Sequence, residues 1–201
     1  MPTQENFNPI LDSLANLGWA VDCDFLKEEI MQGLLHECKE LHAKGNFKKA
    51  AVGKGSQQQV INEVRGDAIL WFDEQNLSHF QRLFYDKINR LKQSINQDFF
   101  LGLKEFECHF AIYPAGSFYK KHSDRFHNTD NRQISCILYL NKDWQEAYGG
   151  QLRLYTETEG QESYYDIKPQ WATFACFRSE LPHEVLPTTR ERYSITGWLK
   201  N

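Results

Sequence analysis

Hydrophobic residues recur every three or four positions in the first half of the chain, which is typical of helices with one apolar face. The first such stripe runs through Leu26, Ile30, Leu34, Cys38 and Leu41. Asp24 is placed to cap its beginning and Gly45 to end it. The second stripe runs through Leu77, Phe80, Phe84, Ile88, Leu91 and Ile95. We expect it to begin near Asn76 or Ser78, and we interpret both stripes as packing faces.

From about residue 104 the hydrophobic period changes to two, the period of a strand that buries one face. The alternation begins with Phe106, Cys108, Phe110 and Ile112. Further strands are predicted at residues 133–141, 150–156, 163–167, 171–177 and 192–199, with turn-rich segments between them. Helical support over about residues 1–100 and strands over about residues 104–200 predict a mainly β, α+β fold, a sandwich or jelly roll buttressed by helices.

A chain of 201 residues fits one domain, residues 1–201, and can bury a core without disulfides or a structural metal. Its 23 Lys and Arg residues against 27 Asp and Glu residues give a formal net charge of −4. This charge lacks the basicity typical of nucleic-acid-binding proteins. We therefore predict no nucleic-acid partner and look for partners at specific sites.

The five cysteines are widely spaced and form no C-x-x-C pair, which argues against a zinc ribbon or a secreted disulfide framework. We expect them to be reduced and buried. The N-terminal residues lack the basic start and apolar core of a leader, and no stretch approaches the roughly 18 consecutive apolar residues of a membrane span. These features predict a soluble cytoplasmic protein with no membrane partner.

The segment of residues 44–59 holds four lysines, three glycines and a run of three glutamines. One interpretation is a solvated connection between elements. The other is a lid that becomes ordered when a partner binds. Composition alone does not separate the two.

Three potential metal ligands lie in the second half: His122 and Asp124 in an H-x-D triplet, and His183 directly after a proline. On an extended chain His122 and Asp124 leave the same face and can reach one ion. Chance supplies roughly 0.4 such triplets in a chain of this composition, so a surface His and Asp are the competing interpretation. Two imidazoles and one carboxylate can hold Fe(II) and leave positions open for a cosubstrate and dioxygen.

Arg192 follows His183 by nine positions, a spacing that suits adjacent antiparallel strands. On its strand Arg192 shares a face with Ser194, Thr196 and Trp198, so it points to a polar, inward face. A buried guanidinium without an anion is costly, and its fork suits the distal carboxylate of 2-oxoglutarate. Zinc, nickel and an empty cupin are the alternatives to an iron site.

Several longer motifs carry a family resemblance. They are Arg-Gly-Asp-Ala-Ile-Leu-Trp at residues 65–71, Tyr-Pro at 113–114, Tyr-Lys-Lys-His-Ser-Asp at 119–124, Cys-Ile-Leu-Tyr-Leu-Asn-Lys-Asp-Trp at 136–144, Gly-Gly-Gln-Leu-Arg at 149–153, Pro-His-Glu-Val at 182–185 and Arg-Tyr-Ser-Ile-Thr-Gly-Trp at 192–198. In this order they resemble the hypoxia-inducible-factor-type (EGL-nine) prolyl hydroxylases of the Fe(II)/2-oxoglutarate oxygenase superfamily, and especially their bacterial relatives. The resemblance covers most of the chain and implies a double-stranded β-helix, a cupin-like jelly roll.

The resemblance implies that His122, Asp124 and His183 bind Fe(II), with no catalytic side chain beyond the iron centre. Arg192, helped by the hydroxyl of Tyr139, would bind the distal carboxylate of 2-oxoglutarate, and Tyr113 would lie near its chelating end. Dioxygen would be the second cosubstrate and L-ascorbate an optional reductant. The resemblance also favours the lid interpretation of the lysine-rich and glycine-rich segment.

Four further positions match the wall that receives the target proline and its flanking peptide: Trp71, Tyr119, Arg132 and Trp198. The two tryptophans are large enough for core packing to be the competing interpretation. For Arg132 the alternative is an ion pair with Asp67.

The expected reaction is hydroxylation of C4 of a prolyl residue in a protein, with release of succinate and carbon dioxide. Relative to the animal enzymes, the segment from residue 113 to 122 is one residue shorter and no zinc-finger segment precedes the domain. Substrate choice is therefore open, and elongation factor Tu is the leading candidate for a bacterial source. The alternatives are an oxygenase acting on a small molecule or another side chain, and a cupin-like binding module without turnover.

Overall fold

The computed structural model describes residues 6–50, 64–125, 131–158 and 160–201. The helices along these residues are α1 (Asn8–Leu17), α2 (Glu28–Ala43) and α3 (His79–Phe99). The strands are β1 (Trp19–Asp22), β2 (Lys48–Lys49), β3 (Ala68–Trp71), β4 (Glu105–Tyr113), β5 (Tyr119–His122), β6 (Arg132–Tyr139), β7 (Leu152–Thr158), β8 (Gln161–Ile167), β9 (Phe174–Arg178), β10 (His183–Val185) and β11 (Arg192–Lys200).

The helix termini follow local capping chemistry. Ser78 caps α3 with a capping box, in which its side chain accepts from the amide of Gln81 and the Gln81 side chain accepts from the Ser78 amide. The predicted start of this helix is confirmed. Gly45, at φ +75°, lies just past the end of α2 as predicted. Asp24 was wrongly predicted as a cap, because α2 begins only at Glu28.

Two sheets form the jelly roll. The large sheet has the strand order β1-β9-β6-β11-β4-β3-β2, and the small sheet has the order β5-β10-β7-β8. Every pairing along both sheets is antiparallel. The predicted mainly β fold with helical support, a double-stranded β-helix, is confirmed.

The two faces of the large sheet bury different things. One face packs against the helices in the main apolar core, where Ile88 of α3, Ile195 of β11 and Leu138 of β6 are each fully buried. The opposite face looks toward the small sheet and shares with it a smaller cluster that includes Ile137, Tyr139, Leu152 and Leu154. Arg192 and Tyr139, both predicted for the functional site, lie on this second face, whereas His122 and His183 belong to the small sheet.

Two expectations need correction. The nine-residue spacing of His183 and Arg192 suits neighbouring strands, but β10 lies in the small sheet and β11 in the large one. The two residues therefore belong to different sheets. The cysteines are free, as predicted, and four are buried, but Cys23 is exposed.

Two further expectations concern the predicted lid segment and membrane spans. From residue 51 onward, the segment predicted to form a lid lies outside the described residues, so that prediction stays a prediction. Its earlier part includes β2, which pairs with β3. Among the described residues, no helix is both long enough and apolar enough to cross a membrane.

Candidate active site

The three predicted metal ligands come together at one end of the sandwich. His122 ends β5 and lies directly opposite His183 of β10 in the strand register, while Asp124 follows β5 by two residues. Nε2 of His122 is 3.7 Å from Oδ1 of Asp124, and Nε2 of His183 is 3.5 Å from Oδ2. All three ligand atoms lie within 4.8 Å of one another. The structure thus gathers the triad that the sequence predicts, at a spacing that one ion can bridge.

Backbone carbonyls fix the orientation of both imidazoles. Nδ1 of His122 is 2.7 Å from the carbonyl oxygen of Lys120, and Nδ1 of His183 is 2.9 Å from that of Leu181. A carbonyl oxygen only accepts, so each Nδ1 carries the hydrogen and each Nε2 presents its lone pair to the site. Both rings are thereby held in the tautomer that binds a metal through Nε2.

The electrostatics of the site favour the forms that bind a cation. Burial lowers the pKa of His122 to about 4, and the nearby His183 adds to the lowering. Burial alone would raise the pKa of Asp124, but His183 and His122 lower it below its ordinary value overall. A neutral imidazole beside an ionised carboxylate is the donor set that a divalent ion requires.

Ser135 and Ser179 hold the Asp124 carboxylate through hydrogen bonds. The hydroxyl of Ser135 donates to Oδ2 of Asp124 over 2.7 Å, and its oxygen lies 2.9 Å from the hydroxyl oxygen of Ser179. The amide of Asp124 also donates to the Ser179 carbonyl. Both serines are fully or almost fully buried, so these bonds hold the carboxylate in one orientation.

A buried cradle for an anion lies deeper between the sheets. Arg192 is 1% exposed; its Nε donates to the Gly150 carbonyl over 2.9 Å and its Nη1 to the Ser194 hydroxyl over 3.4 Å. Nη2 of Arg192 and the hydroxyl of Tyr139 have no hydrogen-bond partner among the described residues. Burial raises the pKa of Tyr139 to about 12, although the charge of Arg192 opposes the rise, so the phenol stays a donor.

Two unpaired buried donors, one of them charged, are costly unless a ligand meets them. An organic carboxylate satisfies both, since it accepts from a guanidinium and a phenol at once. Tyr113 lies opposite Arg192 in the register of β4 and β11, with the guanidinium carbon 4.9 Å from its ring centre. Burial raises the pKa of Tyr113 above its ordinary value, and the charge of Asp67 adds to it. The cradle therefore fits the distal carboxylate of a keto acid.

Trp198 and Arg132 form a stacked pair on the same face of the large sheet. The guanidinium carbon of Arg132 lies 3.7 Å from the Trp198 ring centre, and its Nε and Nη2 donate to Oε1 of Glu107. The competing interpretation of Arg132, an ion pair with Asp67, is wrong, because the partner is Glu107. Trp198 is 7% exposed, and its indole N–H lowers the pKa of Asp124 without making a hydrogen bond of normal geometry.

The competing interpretation of Trp71 as a core residue is wrong, because this side chain is 47% exposed. It leans on His109 edge-to-face at 4.8 Å between ring centres and lies 6.1 Å from Trp198. Trp71 is thus a large apolar side chain that stays partly open to solvent beside Trp198.

Tyr119 lies on the other side of the metal ligands and stacks on His122 with ring centres 3.7 Å apart. The guanidinium carbon of Arg65 lies 4.4 Å from the Tyr119 ring centre. Arg65 itself donates twice to Asp67, over 2.7 Å and 2.6 Å. Asp67 therefore belongs to Arg65, and this pair keeps Tyr119 against the metal ligand.

Contributors that sequence reasoning missed include the Asp124 partner Ser135, the Arg132 partner Glu107, and His109 between the two tryptophans. Ser135 and Glu107 were visible only as members of alternating strands. Their partners lie on strands or loops distant in sequence, so no local pattern connects them. For His109 a signal existed, because a histidine inside an alternating apolar strand must have a reason to be buried.

Fold and site together define a class of protein. A double-stranded β-helix with a facial His-Asp-His triad and a buried arginine cradle behind it has the donor set of a non-haem Fe(II) oxygenase that uses a keto acid. The two imidazoles and the carboxylate fit Fe(II), and the unpaired donors of Arg192 and Tyr139 fit a keto acid.

Comparison with known proteins agrees with this class. Residues 108–200 match the model of the 2OG-Fe(II) oxygenase superfamily. The chain is 30% identical to the prolyl hydroxylase EGLN3 of Mus musculus over 202 residues, 94% of this chain and 81% of that protein. Four other curated relatives match at 31–32% identity, and the chain spans only 27–54% of their length.

Two solved structures are similar over nearly the whole chain. A prolyl-4-hydroxylase from Pseudomonas putida has a TM-score of 0.85 and 39% identity, covering 96% of this chain and 97% of that one. A prolyl hydroxylase from Trichoplax adhaerens, in complex with a hypoxia inducible factor peptide fragment, has a TM-score of 0.82 and 26% identity, covering 98% and 94%. The chain belongs to the EGL-nine type of prolyl hydroxylases within the 2OG-Fe(II) oxygenase superfamily, whose cofactor is Fe(II) and whose cosubstrates are 2-oxoglutarate and dioxygen.

Proposed function

We propose that this chain hydroxylates C4 of a prolyl residue in a protein substrate, with conversion of 2-oxoglutarate to succinate and carbon dioxide. The observation that carries the proposal is the unpaired Nη2 of Arg192 beside the unpaired hydroxyl of Tyr139, behind a triad of metal ligands. This pair of donors supports a bound keto acid, which a metal-storage or zinc hydrolase site does not need.

Each residue has one task in this proposal. His122, Asp124 and His183 hold Fe(II), which together with 2-oxoglutarate and dioxygen supplies the oxidising chemistry that puts one oxygen atom into a C–H bond. Arg192 and Tyr139 orient the cosubstrate through its distal carboxylate. The burial of this cradle keeps water from the reacting centre.

The substrate side is formed by Trp71, Tyr119, Arg132 and Trp198, with Tyr113 near the chelating end of the cosubstrate. Trp198 offers an apolar face beside the metal ligands, on which a proline ring can pack. Arg132 is already paired with Glu107 and stacked on Trp198, so its role is to hold that indole in place as well as to meet the peptide. The half-exposed Trp71 leaves room for the residues that flank the proline.

A protein substrate is supported by the peptide complex of the Trichoplax relative. Elongation factor Tu is the first candidate substrate to test, in a cytoplasmic setting and with L-ascorbate as an optional reductant. The lysine-rich and glycine-rich segment ahead of Arg65 is the candidate for a lid over the peptide.

The decisive experiment incubates the purified protein with Fe(II), 2-oxoglutarate and dioxygen, once with purified bacterial elongation factor Tu and once with a bacterial lysate. Peptide mass spectrometry then looks for the mass of one added oxygen atom on prolyl residues. We expect such a prolyl product together with an equal amount of succinate. His183→Ala removes one of three ligands and should abolish both, whereas His42→Ala, on an exposed part of α2, should leave both unchanged.

Three results would contradict the proposal. If His183→Ala forms succinate at an undiminished rate, the assignment of the metal site is refuted. Oxygen found only in a small molecule or on another type of side chain would move the enzyme to a different substrate class. Binding of metal and partner without any oxygenated product would make the chain a binding module.

A further inference from the structure

His109 is a buried titratable side chain that the proposed chemistry leaves without a task. It belongs to β4 and lies on the face of the large sheet that holds the site, beside Thr196 in the register of β4 and β11. Its ring centre is 4.8 Å from that of Trp71 and 5.6 Å from that of Trp198. The residue is only 3% exposed, yet it lies between the two tryptophans assigned to the substrate.

The backbone determines which nitrogen of His109 is free. Nδ1 lies 3.1 Å from the carbonyl oxygen of Phe110, which can only accept, so Nδ1 carries the hydrogen. Nε2 then presents a lone pair, and among the described residues no hydrogen bond reaches it. Burial lowers the pKa of His109 to about 4, against the opposing charge of Asp67. The ring is therefore neutral near pH 7 and its Nε2 is an acceptor only.

Nε2 is not among the fully buried unpartnered atoms of the described residues, so solvent reaches it at this wall. A ligand that covers the wall displaces that water and leaves Nε2 as a buried acceptor that needs a donor. Metal and keto acid do not meet this need, because both are electron-poor or acceptor groups rather than hydrogen-bond donors. The remaining ligand expected at this wall is the substrate. A prolyl residue has no N–H of its own, so the nearest backbone donor to the reacting ring is the amide of the next residue.

We propose that Nε2 of His109 accepts a hydrogen bond from the backbone N–H of the residue that follows the target proline. This inference rests on the proposed function and narrows its substrate class. A prolyl residue in mid-chain is accepted because it offers that N–H between the two indole faces. A target followed by a second proline is disfavoured because it has no N–H there, and free proline presents a carboxylate against the lone pair.

Two small probes isolate this contact: N-acetylproline N-methylamide, which has one N–H after the ring, and N-acetylproline methyl ester, which has none. Each is titrated into protein loaded with Zn(II) and 2-oxoglutarate, a form without turnover, and binding is followed through the indole N–H resonances. We expect the amide to bind about 10-fold tighter than the ester. The ¹⁵N resonance of His109 Nε2 should move upfield from its unprotonated position with the amide and stay in place with the ester.

The variants separate the hydrogen bond from the shape of the wall. His109→Phe keeps a flat ring and removes the acceptor, so the amide preference should fall to less than about 2-fold while ester affinity stays unchanged. His109→Gln offers a carbonyl oxygen and should restore part of the preference. His36→Phe, on an exposed part of α2, is the matched control and should behave like the unaltered protein.

Some outcomes overturn the inference. It fails if His109→Phe retains the amide preference, if Nε2 is protonated in the free protein, or if the amide shifts the indoles and leaves Nε2 unmoved. The readouts are independent of turnover, so they separate this inference from the proposed function. A protein that hydroxylates a proline without the amide preference refutes only the contact, and one with the preference but no hydroxylation refutes only the function.

Discussion

The two faces of β11 differ in what their buried residues do. Ile195 and Leu199 point into the helix-covered core and belong to the main apolar cluster. Arg192 and Trp198, on the opposite face, are also buried but keep polar atoms without hydrogen-bond partners among the described residues. Burial on the first face stabilises the fold, whereas burial on the second face excludes water from groups that await ligands. One strand therefore separates stability from chemistry by alternation alone.

The largest effect on the helix-covered face is expected from Ile195→Ala. Removing a fully buried side chain leaves a cavity and should lower the free energy of unfolding by about 3–4 kcal/mol. The Kd for 2-oxoglutarate, measured at a temperature where the variant is folded, should stay the same. Denaturant unfolding and isothermal calorimetry measure the two quantities, and Ile195→Val, with a loss of about 1 kcal/mol, is the graded control. A large change in the Kd would show that the two faces are coupled.

On the site face, Arg192→Met should have the opposite pattern. Loss of the guanidinium should weaken 2-oxoglutarate binding about 100-fold, because two charge-assisted hydrogen bonds are lost. The free energy of unfolding without cosubstrate should change by less than about 1 kcal/mol, since a buried unpaired charge is removed as well. Stabilisation by 2-oxoglutarate in thermal unfolding should vanish. Arg153→Met, which removes an arginine paired with Asp166 instead, should retain that stabilisation.

The site face should also be the acid-sensitive one. His109 has a folded-state pKa of about 4 against an ordinary value of 6.5. Between these pH values the imidazole is therefore protonated in the unfolded chain and neutral in the folded chain. Stability from this group is present above about pH 6.5 and is lost as the pH falls toward 4. Between pH 7 and pH 4 the unaltered protein should lose about 2 kcal/mol more than His109→Phe, as measured by urea unfolding. Equal losses would refute this assignment.

The smallest effect is expected from Ser135→Ala, which removes the donor to Oδ2 of Asp124. Loss of such a supporting bond should weaken Fe(II) or Mn(II) binding about 10-fold under anaerobic conditions. The free energy of unfolding of the metal-free protein should change by about 1 kcal/mol or less. Ser94→Ala, whose hydroxyl bonds to the backbone of α3, is the control. An unchanged metal affinity would mean that Asp124 keeps its orientation without this serine.

Periodicity was enough to predict long elements such as α2, α3 and β4, because a long stripe repeats its signal many times. It failed for α1, β1, β5 and β10, which are short. Two metal ligands lie in β5 and β10, so the elements that build the site are among those that a pattern of hydrophobic residues detects least well.

Among the site residues, local alternation was predictable from the sequence, whereas contacts set by the sheet order were not. The H-x-D triplet and the polar face of β11 were readable because alternation places side chains on a common face. Contacts between strands distant in sequence were not: the separation of His183 and Arg192 suggested neighbouring strands, and the alternative considered for Arg132 was an ion pair with Asp67 rather than Glu107. Glu107 and Arg132 both neighbour β11, on β4 and β6, a proximity that only the sheet order creates.

The carbonyl oxygens that orient His122 and His183 set a limit on redesign of the metal site. Each imidazole donates a hydrogen bond from Nδ1 to the carbonyl oxygen of Lys120 or Leu181, so exchanging either histidine for an aspartate or glutamate leaves that carbonyl facing an acceptor. Asparagine and glutamine would keep an N–H for the carbonyl but bind a metal only weakly through their oxygen. An engineer who wants a different ion at this site must therefore redesign the backbone beside each ligand along with the ligand itself.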